Sequence, residues 1–247
     1  MPTTDLANNS RHVVPFVGRG KEVAHLQQLH ARRKHVLILG PAGVGKSALI
    51  YHVASRLPLL VCPQSVRLTE IYGALESQLG PSGVAQRLLQ RKNRLLRALG
   101  ERGQPAVFDD LVWTTPKLSS FLESVMERVP VWLCARSEHP WDIGHFWPLL
   151  VRFERVELQP FHLGETRALV KAAVQGDFTP NDTLNAAGKL HRLAHGNPGV
   201  LCELLTVNAT RRYDLSKESG LQLLELDRRI RGLSQSDEGA IIGESER

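Results

Sequence analysis

The segment that most constrains this chain is Gly40-Pro41-Ala42-Gly43-Val44-Gly45-Lys46-Ser47. The apolar run His35-Val36-Leu37-Ile38-Leu39 precedes it, and a helical pattern from Ala48 to Arg56 follows. A β-branched strand, a glycine-rich turn and a helix in that order supply the G-x-x-x-x-G-K-[ST] phosphate-binding loop together with the context its chemistry needs. Glycines let successive main-chain N–H groups converge on phosphate oxygens that side chains would keep away. The helix start adds partial positive charge. In such a loop the backbone from Gly40 to Ala48 cradles a polyphosphate, Lys46 reaches the β- and γ-phosphates, and the Ser47 hydroxyl is offered to Mg²⁺. A chance glycine-rich turn would need none of these in register. The pattern implies a nucleoside triphosphate with Mg²⁺.

A length of 247 residues leaves room for one α/β domain and a smaller appendage. The net charge of +6 permits contact with nucleic acid or an acidic surface, and equally suits a polyphosphate ligand on an ordinary surface. Cys62, Cys134 and Cys202 fit neither a zinc spacing nor a disulfide framework, which points to reduced thiols in a cytoplasmic protein. No apolar run approaches membrane-spanning length, and residues 1–11 lack the apolar centre of an export signal. No membrane partner is expected.

A phosphate loop needs acidic partners. Ala106-Val107-Phe108 is an apolar strand that ends in Asp109-Asp110, at the edge where open α/β sheets bind ligands. Asp109 would hold Mg²⁺ through water, and Asp110 would orient or deprotonate an attacking water. A strand stopped by two solvent-facing acids is the plainer alternative. Val131 to Ala135 is another buried strand, and it runs into Arg136, a cation placed to face the γ-phosphate. Arg152 and Arg155 precede the last strand, Val156-Glu157-Leu158, and either supplies the permanent planar cation of an arginine finger. From Val84 to Leu99 a helical pattern places Arg87, Arg91 and Arg94 on one face, a surface for nucleic-acid phosphates or simply a solvated one. His25, His30 and His35 lack the companions of a metal site, as do His191 and His195. The four tryptophans are expected to fill core or interface space.

Several segments resemble the AAA+ and STAND ATPases. Phe16-Val17-Gly18-Arg19 resembles the "VGR" box before the first strand, which implies that Val17, Gly18 and Arg19 line an adenine pocket. Phe108-Asp109-Asp110-Leu111-Val112-Trp113 resembles the "LDDVW" segment of NB-ARC ATPases, with one residue added before Trp113. Arg136 resembles the final arginine of their "TTR" or "TSR" motif, which implies a sensor-one role. Arg152-Phe153 resembles the "RF" segment whose arginine reaches a neighbouring subunit, with Arg155 as competitor. Gly196-Asn197-Pro198 resembles the Gly-x-Pro motif of STAND lids, which implies that Pro198 lies near adenine. Gly199 stands where many AAA+ proteins carry a sensor-two arginine, which favours the STAND-like reading.

The fold so implied is a three-layer α/β P-loop NTPase of AAA+/STAND type, a parallel sheet with flanking helices over residues 13–160. A flexible start (1–12), a small helical lid (161–213), and a C-terminal helix with a disordered tail (214–247) complete the expectation. The implied function is slow hydrolysis of Mg·ATP to ADP as a conformational or assembly switch. Asp rather than Glu at position 110 suits the slow rate, and the family implies adenine over guanine. ATP-bound homo-oligomers and a protein partner are expected. Two alternatives stand beside it: a DNA-associated helper ATPase for transposition or replication loading, and a nucleotide-locked interaction module without turnover.

Overall fold

The computed structural model of the chain describes residues 15–63, 67–80 and 87–241, with side chains through 232. The flexible start expected over 1–12, the first residues of the helix expected from Val84, and the last six residues of the expected tail lie outside them. The chain divides into two compact units, Arg19–Gln159 and, with the segment up to Gly18, Pro160–Arg247.

In the first unit, α1 (Gly20–Ala31) leads into β1 (Val36–Leu39), α2 (Lys46–Ala54), β2 (Leu60–Cys62), α3 (Leu68–Leu79) and α4 (Leu88–Arg102). Then come β3 (Ala106–Phe108), α5 (Pro116–Met126), β4 (Val131–Ala135), the short α6 (Pro140–Ile143), a 3₁₀ segment over Trp147–Arg152, and β5 (Glu154–Glu157). The five strands form one parallel sheet in the order β2-β3-β4-β1-β5. Parallel strands need crossovers, and the crossover helices cover both faces, so β1, β3 and β4 are apolar and buried along their whole length. Successive side chains face opposite ways. Leu37, Leu133 and Phe108 pack with Leu75, Leu99 and Phe121 of α3, α4 and α5. From the other face, Trp132 meets His30 of α1 edge-on at 6.3 Å between ring centroids. The fold is the three-layer P-loop NTPase sandwich.

β5 is an edge strand in which only Val156 is buried, and its charged neighbours discourage further pairing. It starts two residues earlier than the apolar pattern suggests, because Glu154 N–H already donates to His35 O at 2.9 Å. At the start of α5, Thr115 caps the helix by accepting from Leu118 N–H, and Pro116 occupies the first turn where no N–H is needed.

The second unit holds α7 (Leu163–Gln175), α8 (Ala187–Ala194), α9 (Pro198–Arg211) and α10 (Glu218–Ile241) around a core that includes Val170, Leu190, Leu204 and Leu224. Val17 packs onto that core. A capping box opens α7, with Glu165 Oε2 accepting from His162 N–H at 2.8 Å. Thr166 and His191 share a hydrogen bond at 2.8 Å, so this histidine serves packing. Within 214–247, where a helix and then a disordered tail were expected, α10 runs on to Ile241. No proline interrupts it, and Arg228 anchors its middle through ion pairs to Glu225 and Glu203. No helix among the described residues is long and apolar enough to cross a membrane.

Candidate active site

The site grows from the C-terminal end of β1. Beyond Leu39 the chain turns at Gly40 with φ +151°, where a Cβ would come within 2.8 Å of both Leu158 O and Val44 Cγ1. Only glycine allows so close an approach to the end of the edge strand. Gly43 and Gly45 also have positive φ, and Gly45 caps α2 without a side chain. The first-turn N–H groups of α2 therefore keep their donor capacity for an anion in front of the helix.

Lys46 is buried, and its Nζ donates to Gly40 O at 2.7 Å and Pro41 O at 3.1 Å. Burial lowers its pKa, while Asp110 and Asp109 on one side and Arg136 on the other act on it in opposite senses. The ammonium thus already sits between the loop carbonyls and the acids. Exchanging those carbonyls for phosphate oxygens needs only side-chain rotation.

The acids arrive from the adjacent strands. Asp109 follows β3 and is buried, its N–H donating to Cys62 O at 3.0 Å and its Oδ1 accepting from Asp110 N–H at 3.0 Å. Asp110 adopts φ +46°, a left-handed conformation that aspartate tolerates better than most residues. Behind them lies Cys134 of β4, fully buried and hydrogen-bonded to Asp109. Burial first, and the nearby carboxylate second, hold its thiol well above the ordinary cysteine range. Arg136 leaves β4 exposed and faces the same cleft. The cleft encloses about 510 Å³ between Ala42, Gly43, Gly45, Lys46, Ser47 and Ala48 on one side and Asp109, Asp110 and Arg136 on the other. Tyr51, one helical turn beyond Ser47, completes its wall. The motif reading overlooked Tyr51, although its i+4 spacing from Ser47 was the available signal. A larger hollow of about 740 Å³ in the second unit, beside Asp177 and Arg212, brings no such donor set together.

This donor set fits Mg·ATP. Free helix N–H groups and an ammonium suit phosphate oxygens, and a hydroxyl and a carboxylate suit a hard cation. Among the described residues no cluster of three or more His, Cys, Asp or Glu side chains could hold a metal ion. Ser47 and Asp109 would therefore share the ion with phosphate and water, as Mg²⁺ prefers.

Other predicted residues fall elsewhere. Arg19 is buried with φ +60°, and its Nη2 donates to Val44 O at 3.1 Å and Gln159 O at 2.6 Å while Nη1 pairs with Glu22. It braces the phosphate loop from behind and does not line the cleft. Gly18 and Pro198 belong to the second unit. Gly18, φ +77°, lies close to Glu165 and Phe161, and Pro198 is buried at the first turn of α9, which Asn197 caps. Arg152 ends the 3₁₀ segment exposed, outside the cleft of its own chain. Arg155 is instead committed to Glu138, Nη2 to Oε2 at 2.9 Å.

The arginine stripe of α4 is not a free cationic face. Arg91 forks onto Glu76 of α3 at 2.8 and 2.6 Å and Arg94 lies 3.7 Å from the same carboxylate, whereas Arg87, at the N-cap of the helix, is exposed and makes no side-chain cap hydrogen bond. Two of the stripe's three guanidiniums thus share one carboxylate.

The AAA ATPase domain family matches residues 15–134. That match, together with the fold, supports an AAA+ P-loop ATPase domain in this chain. Its fold is shared with the ORC1 protein of Aeropyrum pernix, solved in complex with DNA (15% identity, TM-score 0.62, 87% of this chain and 66% of that one). A Walker-type ATPase of Pyrococcus abyssi is also similar (16% identity, TM-score 0.64, 93% and 77%). So is a STAND protein with a tetratricopeptide repeat sensor from Pyrococcus horikoshii (18% identity, TM-score 0.51, 81% and 30%). At these identities the likeness is one of fold, and this chain spans 66% of the ORC1 protein and 30% of the STAND protein. Among curated proteins no match is found.

Proposed function

We propose that this AAA+ domain binds Mg·ATP in the cleft between the Gly40–Ala48 loop and Asp109, and hydrolyses it slowly as a nucleotide-dependent switch. The observation that carries the reading is the convergence of Lys46, Ser47, Asp109, Asp110 and Arg136 on one cleft from three different elements. Mg²⁺, when bound, neutralises phosphate charge and polarises the γ-phosphoryl group. Lys46 releases Gly40 O and Pro41 O to pair with phosphate oxygens, and the loop N–H groups hold the rest of the chain of phosphates in place. Asp110 accepts the proton of the attacking water as the new P–O bond forms and the β,γ-bridge breaks, giving ADP and phosphate. Arg136 steadies the charge on the departing phosphoryl oxygens. Arg152, exposed and outside its own cleft, is available to a neighbouring subunit in an ATP-bound oligomer. In the other unit Val17, Gly18 and Pro198 are assigned to the adenine side by the resemblance of their motifs.

A second reading, a nucleotide-locked module, has one observation in its favour: the short Asp110 carboxylate on a left-handed backbone has limited reach. Single-turnover hydrolysis of radiolabelled ATP separates the two. The switch reading expects measurable ADP formation in the parent, and at least a tenfold slower step with intact ATP binding in Asp110→Asn. Bound ATP that stays unhydrolysed in the parent, or a rate unaffected in Asp110→Asn, overturns it.

A further inference from the structure

Trp132 is the one tryptophan of the four that fills the core; Trp113, Trp141 and Trp147 are 50%, 72% and 46% exposed, which leaves for them the interface half of the expectation. Fully exposing so much aromatic surface is unfavourable, and three tryptophans on two adjoining loops are not scattered surface residues. The first loop leaves β3 through Asp109 and Asp110; the second leaves β4 through Arg136. Backbone pairing locks them together: Trp113 N–H donates to Asp142 O at 3.0 Å, Thr114 N–H to Ile143 O at 2.9 Å and His145 N–H to Thr114 O at 3.0 Å. The buried Thr114 hydroxyl adds an acceptor for Phe146 N–H at 2.9 Å. Gly144 permits this approach, since a Cβ there would lie 2.7 Å from Thr114 O. The platform is rigid.

Its rings are also arranged as aromatic pairs. His139 stacks on Trp141 at 5.7 Å with planes 19° apart, and His145 meets the edge of Trp113 at 6.4 Å. Trp113 itself is held at φ +33°, a conformation that a bulky residue avoids unless its surroundings impose it. The acids of the second loop are already engaged, Glu138 by Arg155 and Asp142 by the Ser137 hydroxyl. Two cations outside the nucleotide cleft border the two loops with no ion pair among the described residues: Lys117 three residues beyond Thr114, and Arg152 at the end of the 3₁₀ segment that Trp147 begins. Flat aromatic faces with unpaired cations beside them are complementary to unpaired bases on a phosphate backbone.

We propose that Trp113, Trp141 and Trp147 form a stacking platform for single-stranded nucleic acid, with Lys117 and Arg152 meeting its phosphates. This surface is separate from the α4 arginine stripe, in which Arg91 and Arg94 pair with Glu76. It does not depend on hydrolysis, although both loops start from cleft residues.

Stacking quenches tryptophan emission, and buried Trp132 provides an unresponsive background. The test titrates the whole chain with oligothymidylate and oligouridylate while following tryptophan fluorescence from 50 to 300 mM salt. A saturable quench is expected. Affinity should fall with salt at a log–log slope of about −0.7 for each phosphate neutralised, near −1.4 for two cations. Trp141→Ala and Trp147→Ala should each weaken binding by about tenfold or more, as loss of a base–aromatic stack does. Trp141→Phe should restore most of it. Circular dichroism and ATP binding by each variant establish that the fold is intact, so a failure here is distinct from a failure of the ATPase reading. No quench in 50 mM salt overturns the proposal, as does equal affinity in the folded alanine variants. A concentration-dependent dimer in light scattering that Trp141→Ala dissolves, without oligonucleotide binding, overturns it in favour of a protein interface.

Discussion

Replacing Gly40 with alanine tests the closest contact in the site. The new Cβ would lie 2.8 Å from Leu158 O and 2.8 Å from Val44 Cγ1. The oxygen cannot retreat cheaply, because Leu158 N–H is held by Leu39 O at 2.8 Å in the ladder with β1. Overpacking of this kind costs about 1–3 kcal/mol. A non-glycine residue held at φ +151° adds strain of about 1–3 kcal/mol. A total near 3 kcal/mol would lower the melting temperature by about 6–12 °C in a chain of this size. The effect should reach function too, since any shift of Gly40 moves a carbonyl that Lys46 uses. Thermal unfolding and ATP titration read both consequences. Gly188→Ala in α8 is the matched control: nothing lies within 4 Å of its added Cβ, so removing a helical glycine should stabilise by about 0.5–1 kcal/mol. If Gly40→Ala melts within about 1 °C of the parent and binds ATP equally well, the close packing of loop on edge strand is wrong.

Two further substitutions probe the acids. Asp109→Asn should lower ATP affinity about tenfold with Mg²⁺ present and leave it unchanged in EDTA, read by displacement of a fluorescent ATP analogue; equal losses in both would mean that Asp109 serves the fold rather than the ion. The Arg91–Glu76 pair should contribute about 1 kcal/mol at neutral pH, being partly exposed. Hydrogen bonding from Arg91 holds the Glu76 carboxyl below its ordinary 4.5, so this contribution is fully present above 4.5 and is lost as pH falls through the lowered value. Urea unfolding of the parent and of Arg91→Ala should therefore differ at pH 7 and converge as pH falls below the lowered value; a constant difference across that range would contradict the pairing.

What the sequence displays of this fold is whatever is local. The apolar runs at Val36–Leu39, Ala106–Phe108 and Val131–Ala135 are buried on both faces and need no partner to be recognised as strands. The phosphate loop is legible because its glycines, lysine and serine are consecutive. Hidden were the features that depend on partners distant in the chain. Arg19 looks like a pocket residue in a four-residue motif, yet its guanidinium is consumed by Gln159 O, 140 positions away. Arg91 looks like one member of a basic stripe until Glu76, on another helix, claims it. Cys134 is apolar strand filling by pattern, and only the neighbouring β3 brings the Asp109 carboxylate to its thiol. The sequence likewise left the tryptophans between core and interface, and only the Thr114–Gly144 contact reveals the two loops that carry three of them outward.

The account stands on a triphosphate held by the Gly40–Ala48 backbone and the Lys46 ammonium. Isothermal titration of the parent and Lys46→Ala with Mg·ATP measures that directly. Lys46 supplies charge-assisted hydrogen bonds worth about 1.5–3 kcal/mol, so the variant should bind about 10- to 150-fold more weakly, with an unchanged circular dichroism spectrum. Equal dissociation constants for the two proteins would contradict it.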